Sequence, residues 1–302
     1  MSSRPGRRMK WHDEINCGCK INLHLKVTAR RADGLHDLAS CFVFLPFPGD
    51  VLSVSDGADS IVLECPEFPE LANEKNLLWQ AAEKFAAAAG IAPQWSITLH
   101  KKVPLAAGLG GGSADAGALL SVLNEHYRAL DGKSLHELAF SLGADVPFFL
   151  HRKAAWVTGA GEKFEFLEKL PPLPEILIVN PGFPVSAKWA YTHMAPELIG
   201  ADDPEFRKDF LAGRAFRTDF YCNDLAPAVM KKFPLLTMLK RFLTGQGAFA
   251  VQISGSGPSL FALFAPGKAA AAPPPPPPPP LPPVKRQRRR KDCVPDLPVW
   301  KT

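Results

Sequence analysis

The sequence predicts an α/β or α+β protein of two domains. Three observations carry that expectation. Strand-like and helix-like runs alternate along most of the chain. Its 302 residues suffice for two sizeable cores. A glycine-rich loop, residues 104–114, joins a strand-like run to a helix-like one.

The elements follow from local pattern. Residues 1–10 are basic without an apolar stretch, so they read as a loose arm rather than a secretory signal. Residues 20–27 alternate strictly, with Ile21, Leu23, Leu25 and Val27 on one face of a half-buried strand. Asp33-Gly34 supplies a hairpin turn. Strand regions follow at Leu38 to Leu45 and Asp50 to Ser55, then a helix from Asn76 to Ala89. The run Trp95 to Val103 is strand-like, and Ala114 to Leu130 is helix-like. Ser134 and Glu137 form a capping box that opens another helix, ended by Gly143. Trp156 to Thr158 is a strand, and Glu175 to Val179 a buried one. Residues 249–254 and 259–264 flank Gly255-Ser-Gly257-Pro258 as two strands joined by a tight loop.

The glycine loop comprises Pro104, Leu105, Ala106, Ala107, Gly108, Leu109, Gly110, Gly111, Gly112, Ser113 and Ala114. A glycine loop that feeds a helix start is an anion site, because backbone N–H groups and the helix dipole both favour negative charge. Glycine admits a phosphate oxygen without a side-chain clash. No Gly-Lys-Ser/Thr follows, so this is not a Walker A loop, and it only approximates a dinucleotide fingerprint. A flexible turn is the plain alternative. Ser113 sits where a helix cap belongs, and its hydroxyl also suits a phosphate or metal ion. Asp115 suits the helix dipole.

Composition narrows the class. The apolar fraction of 46% is ordinary for a soluble protein, and no apolar run is long enough to span a membrane. Six cysteines without zinc or redox spacing read as reduced thiols in a cytoplasmic protein, and no metal-ligand set is assigned. Residues 269–302 hold eight consecutive prolines and a basic run, and they account for the whole net charge of +5. The remainder is neutral, which argues against nucleic-acid binding by the globular part. The segment 269–302 reads as a disordered low-complexity tail.

Several polar residues remain. Lys20, Asn22, His24 and Lys26 share one strand face, which pattern alone reads as solvated. Asp145 sits among apolar groups in Leu142 to Leu150. It is either a helix cap, as Asp-x-Pro often is, or an acid held for chemistry beside the glycine loop. His36 reads as a structural hydrogen-bonder or a ligand contact.

Three segments together resemble the GHMP small-molecule kinases: Lys20-Ile-Asn22, the loop 104–114, and Gly255-Ser-Gly257-Pro258-Ser259. Within them, Lys20-Ile-Asn-Leu-His-Leu25, Arg31-Ala-Asp-Gly-Leu-His36 and Leu142-Gly-Ala-Asp-Val-Pro147 resemble the kinases of 4-diphosphocytidyl-2-C-methyl-D-erythritol, from about Asn16 to Phe264.

The resemblance implies an α+β architecture. A domain resembling the second domain of ribosomal protein S5 would span 1–158, and a ferredoxin-like domain 159–268. It implies ATP with Mg²⁺, phosphates against the glycine loop, and phosphorylation of the substrate's 2-hydroxyl in non-mevalonate isoprenoid synthesis. Asn76 and Leu77 match the adenine contacts, and Lys101 another nucleotide-side position. His36 matches the reader of the cytosine, Tyr191 the aromatic that stacks on it, and Asn22 a substrate-side position. Asp145 would be the base and Lys20 its partner. The chain departs from the pattern at Leu35, where a tyrosine is usual and Phe42 is a candidate replacement. It departs again at Ala114, where a second serine is common, and after Phe264, where the proline-rich segment replaces a helix and a strand. Such a loss exposes a sheet edge. The alternatives are a homoserine or mevalonate-type kinase, and a non-catalytic nucleotide-binding protein.

Overall fold

The structure, a computed structural model, describes residues 12–167, 173–200, 204–212, 220–267 and 299–301. The order of elements is β1 (His12–Arg30), β2 (His36–Asp56), β3 (Val62–Glu64), α1 (Leu77–Ala89), β4 (Trp95–His100), α2 (Gly111–Tyr127), α3 (Gly132–Leu142) and α4 (Val146–His151). The chain continues as β5 (Ala155–Gly159), β6 (Lys163–Phe166), β7 (Glu175–Val179), α5 (Ala187–His193), α6 (Pro204–Leu211), α7 (Ala226–Lys232), α8 (Pro234–Gly245), β8 (Ala250–Ile253), β9 (Leu260–Phe264) and β10 (Val299–Lys301). No described helix is long and apolar enough to cross a membrane.

The chain divides into two compact units that are interleaved in sequence. The first takes Met1–Cys19, Pro48–Val103 and Gly110–Lys153. The second takes Lys20–Phe47, Pro104–Leu109 and Ala154–Thr302. Strands β1 and β2 each contribute to both. The expected strand regions at 38–45 and 50–55 are thus one strand of 21 residues, unbroken at Pro46 and Pro48.

In the first unit, Val51–Asp56 of β2 runs antiparallel to β4, and β3 runs parallel to β4. Helix α1 begins where expected, capped by the Asn76 side chain, which accepts from the Leu78 N–H. It ends at Gly90 in the left-handed conformation. Two caps differ from expectation. Asp131, not Ser134, caps α3, and it accepts the Ser134 N–H. Gly110, not Ser113, is the cap residue of α2, so Ser113 lies inside the first turn. Helix α4 presses on α2 at Gly117, where an added Cβ would lie 2.7 Å from Cβ of Phe149. Only glycine permits that approach, and it fixes where α4 and its leading residue Asp145 stand in this unit.

In the second unit, Leu38–Phe42 of β2 pairs with β5, and β5 with β6, all antiparallel. A separate antiparallel sheet has the order β10-β7-β9-β8. Its buried Leu177, Val179, Leu260 and Phe264 pack with Val229, Leu236, Leu239 and Leu243 of α7 and α8. The 269–302 expectation falls mostly on residues 268–298, outside the described set. Val299–Lys301, however, forms a strand against the edge of β7, with Trp300 opposite Ile178. The border of that sheet is therefore covered rather than exposed.

Candidate active site

Lys20, Asn22 and His24 do not form a solvated face. All three are buried, Lys20 to 5% exposure. Period-two alternation places polar groups on one face but says nothing of what covers it. Here the cover is specific. Lys20 Nζ donates to Asn22 Oδ1 at 2.8 Å and lies 4.3 Å above the Phe42 ring. Asn22 Nδ2 donates to Ser40 Oγ, which donates to the His24 carbonyl. Both polar ends of the Asn22 side chain are thus engaged in holding Lys20 and β2. Phe42 is buried beneath Lys20 and edge-on to Phe164, so it does not replace the aromatic absent at Leu35.

Ser254 joins this strand to the glycine loop inside the second unit. Its hydroxyl donates to the Gly108 carbonyl at 2.8 Å and accepts the Asn22 N–H at 3.3 Å. The Lys20 N–H donates to the Leu109 carbonyl at 2.9 Å, and the Ser259 N–H to that of Ala107. Asn223 donates to the carbonyls of Ile253 and Gly255, on either side of Ser254. The Lys20 strand, residues 104–109 and the 255–259 loop therefore converge. Gly108 has φ +77°.

The other part of the glycine loop lies in the first unit. Gly110 (φ +70°) has no side chain to cap α2, so the first-turn N–H groups stay open to an anion. The strand before the loop is anchored from beneath by charge. Asp50, fully buried, accepts the N–H groups of Lys102 and Val103 and the ammonium of Lys101. Lys101 Nζ also donates to Asp115 Oδ2 at 2.9 Å. Burial works against the Lys101 charge, but the two carboxylates outweigh it and hold its pKa above the ordinary value. Burial, with the like charge of Asp50 added, pushes Asp115 up to about 7. Asp115 is thus a buried ion-pair partner rather than an exposed dipole residue. Lys101, expected on the nucleotide side, is the keystone of this anchor. Cys17 lies close enough for Asp115 and Asp50 to raise its thiol further, after burial. Among the described residues the five cysteines form no disulfide.

Asp145 leads α4 but makes no capping hydrogen bond with its side chain, so the plain reading of a helix cap fails. Asn76 donates to the Leu71 carbonyl as well as capping α1. A cavity of about 700 Å³ opens beside it, lined by Glu70, Asn73, Lys75 and Trp79.

His36 and Tyr191 come together in the second unit. Their rings stack, with centroids 5.2 Å apart and planes 23° from parallel. Both line a cavity of about 690 Å³ that Leu35, Arg30 and Lys188 also line. Burial, then the nearby Arg30, lowers the His36 pKa, which keeps the ring neutral at pH 7. Asp50, Ser254 and Asn223 gave no sequence signal, because their partners lie far along the chain. Arg30 and Lys188 gave none either, since exposed basic residues are common.

Residues 76–153 match the GHMP kinases N terminal domain, and residues 205–272 the GHMP kinases C terminal family. The 4-diphosphocytidyl-2-C-methyl-D-erythritol kinase of Syntrophotalea carbinolica is 37% identical over 254 residues, covering 83% of this chain and 89% of that protein. The enzyme of the same name from Anaeromyxobacter sp. (strain K) is 41% identical over 257 residues, covering 83% and 80%. A crystal structure of 4-(cytidine 5'-diphospho)-2C-methyl-D-erythritol kinase superposes with a TM-score of 0.74 at 33% identity, covering 86% of this chain and 93% of that one. Homoserine kinase from Cytophaga hutchinsonii, 21% identical with a TM-score of 0.62, shares the fold over 84% of this chain and 87% of its own. The two-domain α+β architecture is that of the GHMP kinases, and the chain belongs to the 4-diphosphocytidyl-2-C-methyl-D-erythritol kinase family.

Proposed function

We propose that this kinase transfers the γ-phosphoryl group of ATP to the 2-hydroxyl of 4-diphosphocytidyl-2-C-methyl-D-erythritol, in non-mevalonate isoprenoid synthesis. The observation that carries the reading is the Ser254 hydroxyl, which ties the Lys20 strand to the glycine loop. The family membership supports it independently.

Phosphoryl transfer asks for positioning and charge neutralisation. The triphosphate lies against Gly108 to Ser113, where the α2 N-terminus offers backbone N–H groups. The nucleotide base lies beside Asn76 and Leu77. Because the Asn76 side chain is committed to its helix, its contact runs through the main chain. The cytosine is read by neutral His36 with Tyr191. Asp145 accepts the proton of the 2-hydroxyl. That oxygen bonds to the γ-phosphorus while the bond to the β,γ-bridging oxygen breaks, and ADP leaves. Lys20, held by Asn22, offers its charge to the hydroxyl and the moving phosphoryl group.

Among the described residues no group of three or more His, Cys, Asp or Glu is placed to hold a metal ion. Mg²⁺ commonly arrives on nucleotide phosphates and takes only one or two protein ligands. The Ser113 hydroxyl, in the first turn of α2, would be one such ligand. When bound, Mg²⁺ neutralises charge on the triphosphate.

Release of ADP with 4-diphosphocytidyl-2-C-methyl-D-erythritol as acceptor tests the reading. Silence with that acceptor, combined with turnover of homoserine or mevalonate, would overturn it.

A further inference from the structure

We propose that Arg30 and Lys188 form the grip for the diphosphate of the substrate, and so determine its preference for a nucleoside diphosphate ester over acceptors that lack one. The inference rests on the substrate class proposed above and adds two residues to it.

Both residues line the cavity of about 690 Å³ that holds the His36–Tyr191 pair, entirely within the second unit. That volume is ordinary for a small-molecule site. Arg30 ends β1 and His36 begins β2. The hairpin between them is closed by the Arg31 N–H on the Leu35 carbonyl at 2.9 Å, which sets Arg30 and His36 opposite each other. Lys188 lies in the first turn of α5, with Tyr191 three residues on and Thr192 four. That spacing puts the three on one helix face, and all three line the cavity.

The charges in the cavity are unbalanced. Its acidic lining residue, Asp33, is already engaged. Its carboxylate takes the Leu35 N–H at 3.0 Å and an ion pair with Arg31 at 2.8 Å, and these hold its pKa below the usual range. Arg30 and Lys188 have no ion-pair partner among the described residues. Two positive charges therefore share one cavity with a flat, neutral aromatic pair. A base carrying a dianionic diphosphate is the complement. The rings take the base by stacking. The guanidinium fork takes two oxygens at once, and the ammonium acts as a point charge beside it. Both side chains are exposed, so substituting them leaves the core intact.

Equilibrium binding of CDP and of cytidine to the whole chain tests the grip. Charge-assisted contacts of this kind predict that the wild-type protein binds CDP at least about ten-fold more tightly than cytidine. The preference should weaken as ionic strength rises. The double variant Arg30→Met/Lys188→Met should lose the preference while its affinities for cytidine and ATP stay unchanged, a split that a general loss of structure would not give. Arg30→Lys with Lys188→Arg should restore it. A double variant that keeps the CDP preference overturns the grip, as does a wild-type protein that binds both ligands equally. A wild-type protein that binds neither, and releases no ADP with the cytidine diphosphate substrate, overturns the substrate class and the grip with it.

Discussion

Gly108 and Ser254 touch backbone to backbone: a Cβ built on Gly108 would stand 2.1 Å from the Ser254 carbonyl oxygen and 3.0 Å from the Gly257 nitrogen. Neither obstacle is a flexible side-chain end. The φ of +77° adds a conformational penalty for any residue with a Cβ. Gly108→Ala should therefore cost at least about 2 kcal/mol of stability. It should also weaken ATP binding, because the loop cannot keep its seat on the 254–257 segment. Denaturant midpoints and nucleotide titration check this. Gly112, with open space around it, should accept alanine with less than about 1 kcal/mol lost.

Asp145→Asn preserves shape and removes the proposed base. General base catalysis supplies about 10²–10⁴-fold, so kcat should fall by that order while ATP affinity changes little. Lys20→Ala should likewise lower kcat more than it weakens ATP binding. Near-normal turnover in Asp145→Asn would remove the residue from the mechanism.

The buried Asp50–Lys101–Asp115 group makes stability depend on pH. Asp115 titrates near 4 when unfolded and is pushed up to about 7 in the fold by burial. Between those values the folded state holds a proton that the unfolded state has lost. Stability contributed by this group therefore falls as pH rises from about 4 to 7 and levels off above. Asp115→Asn should flatten that part of the stability curve, measured by denaturant midpoints across the range. Lys101→Met leaves Asp50 buried without its cation and should cost about 3–5 kcal/mol.

Some of this was readable from the sequence. Strand β7 falls on the run Glu175 to Val179, because a short unbroken apolar stretch has few other uses. Helix α1 falls on the run Asn76 to Ala89, where apolar residues recur at helical spacing. Helix α8 carries no capping side chain to announce its start, although Leu236, Leu239 and Leu243 recur on one face. What local pattern hides at the site has one cause. Lys20 and Asn22 looked exposed because alternation shows only that polar and apolar residues take turns, and Ser254 arrives from 232 residues away to close over them. The anchoring of Lys101 is equally hidden, because its partner Asp50 lies 51 residues earlier. Local pattern places a side chain on a face. Only the long-range fold supplies its partner.

Removing residues 299–302 should uncover the β7 edge. Loss of this short ladder should cost about 2 kcal/mol and promote association through the open edge, with ATP affinity retained. Light scattering and thermal melts of the shortened chain check this. A monomeric, fully stable product would show that β10 contributes nothing.

The order of these strands in space, β10-β7-β9-β8, is not the order in which a ribosome makes them. Strand β7 emerges first, and its outer neighbour is translated only after residue 298. A nascent chain that pauses in the proline-rich run, residues 273–280, therefore displays an unpaired border at the very stage when other growing chains are nearest. Codon usage and elongation rate across that run then bear directly on how much of the product escapes aggregation.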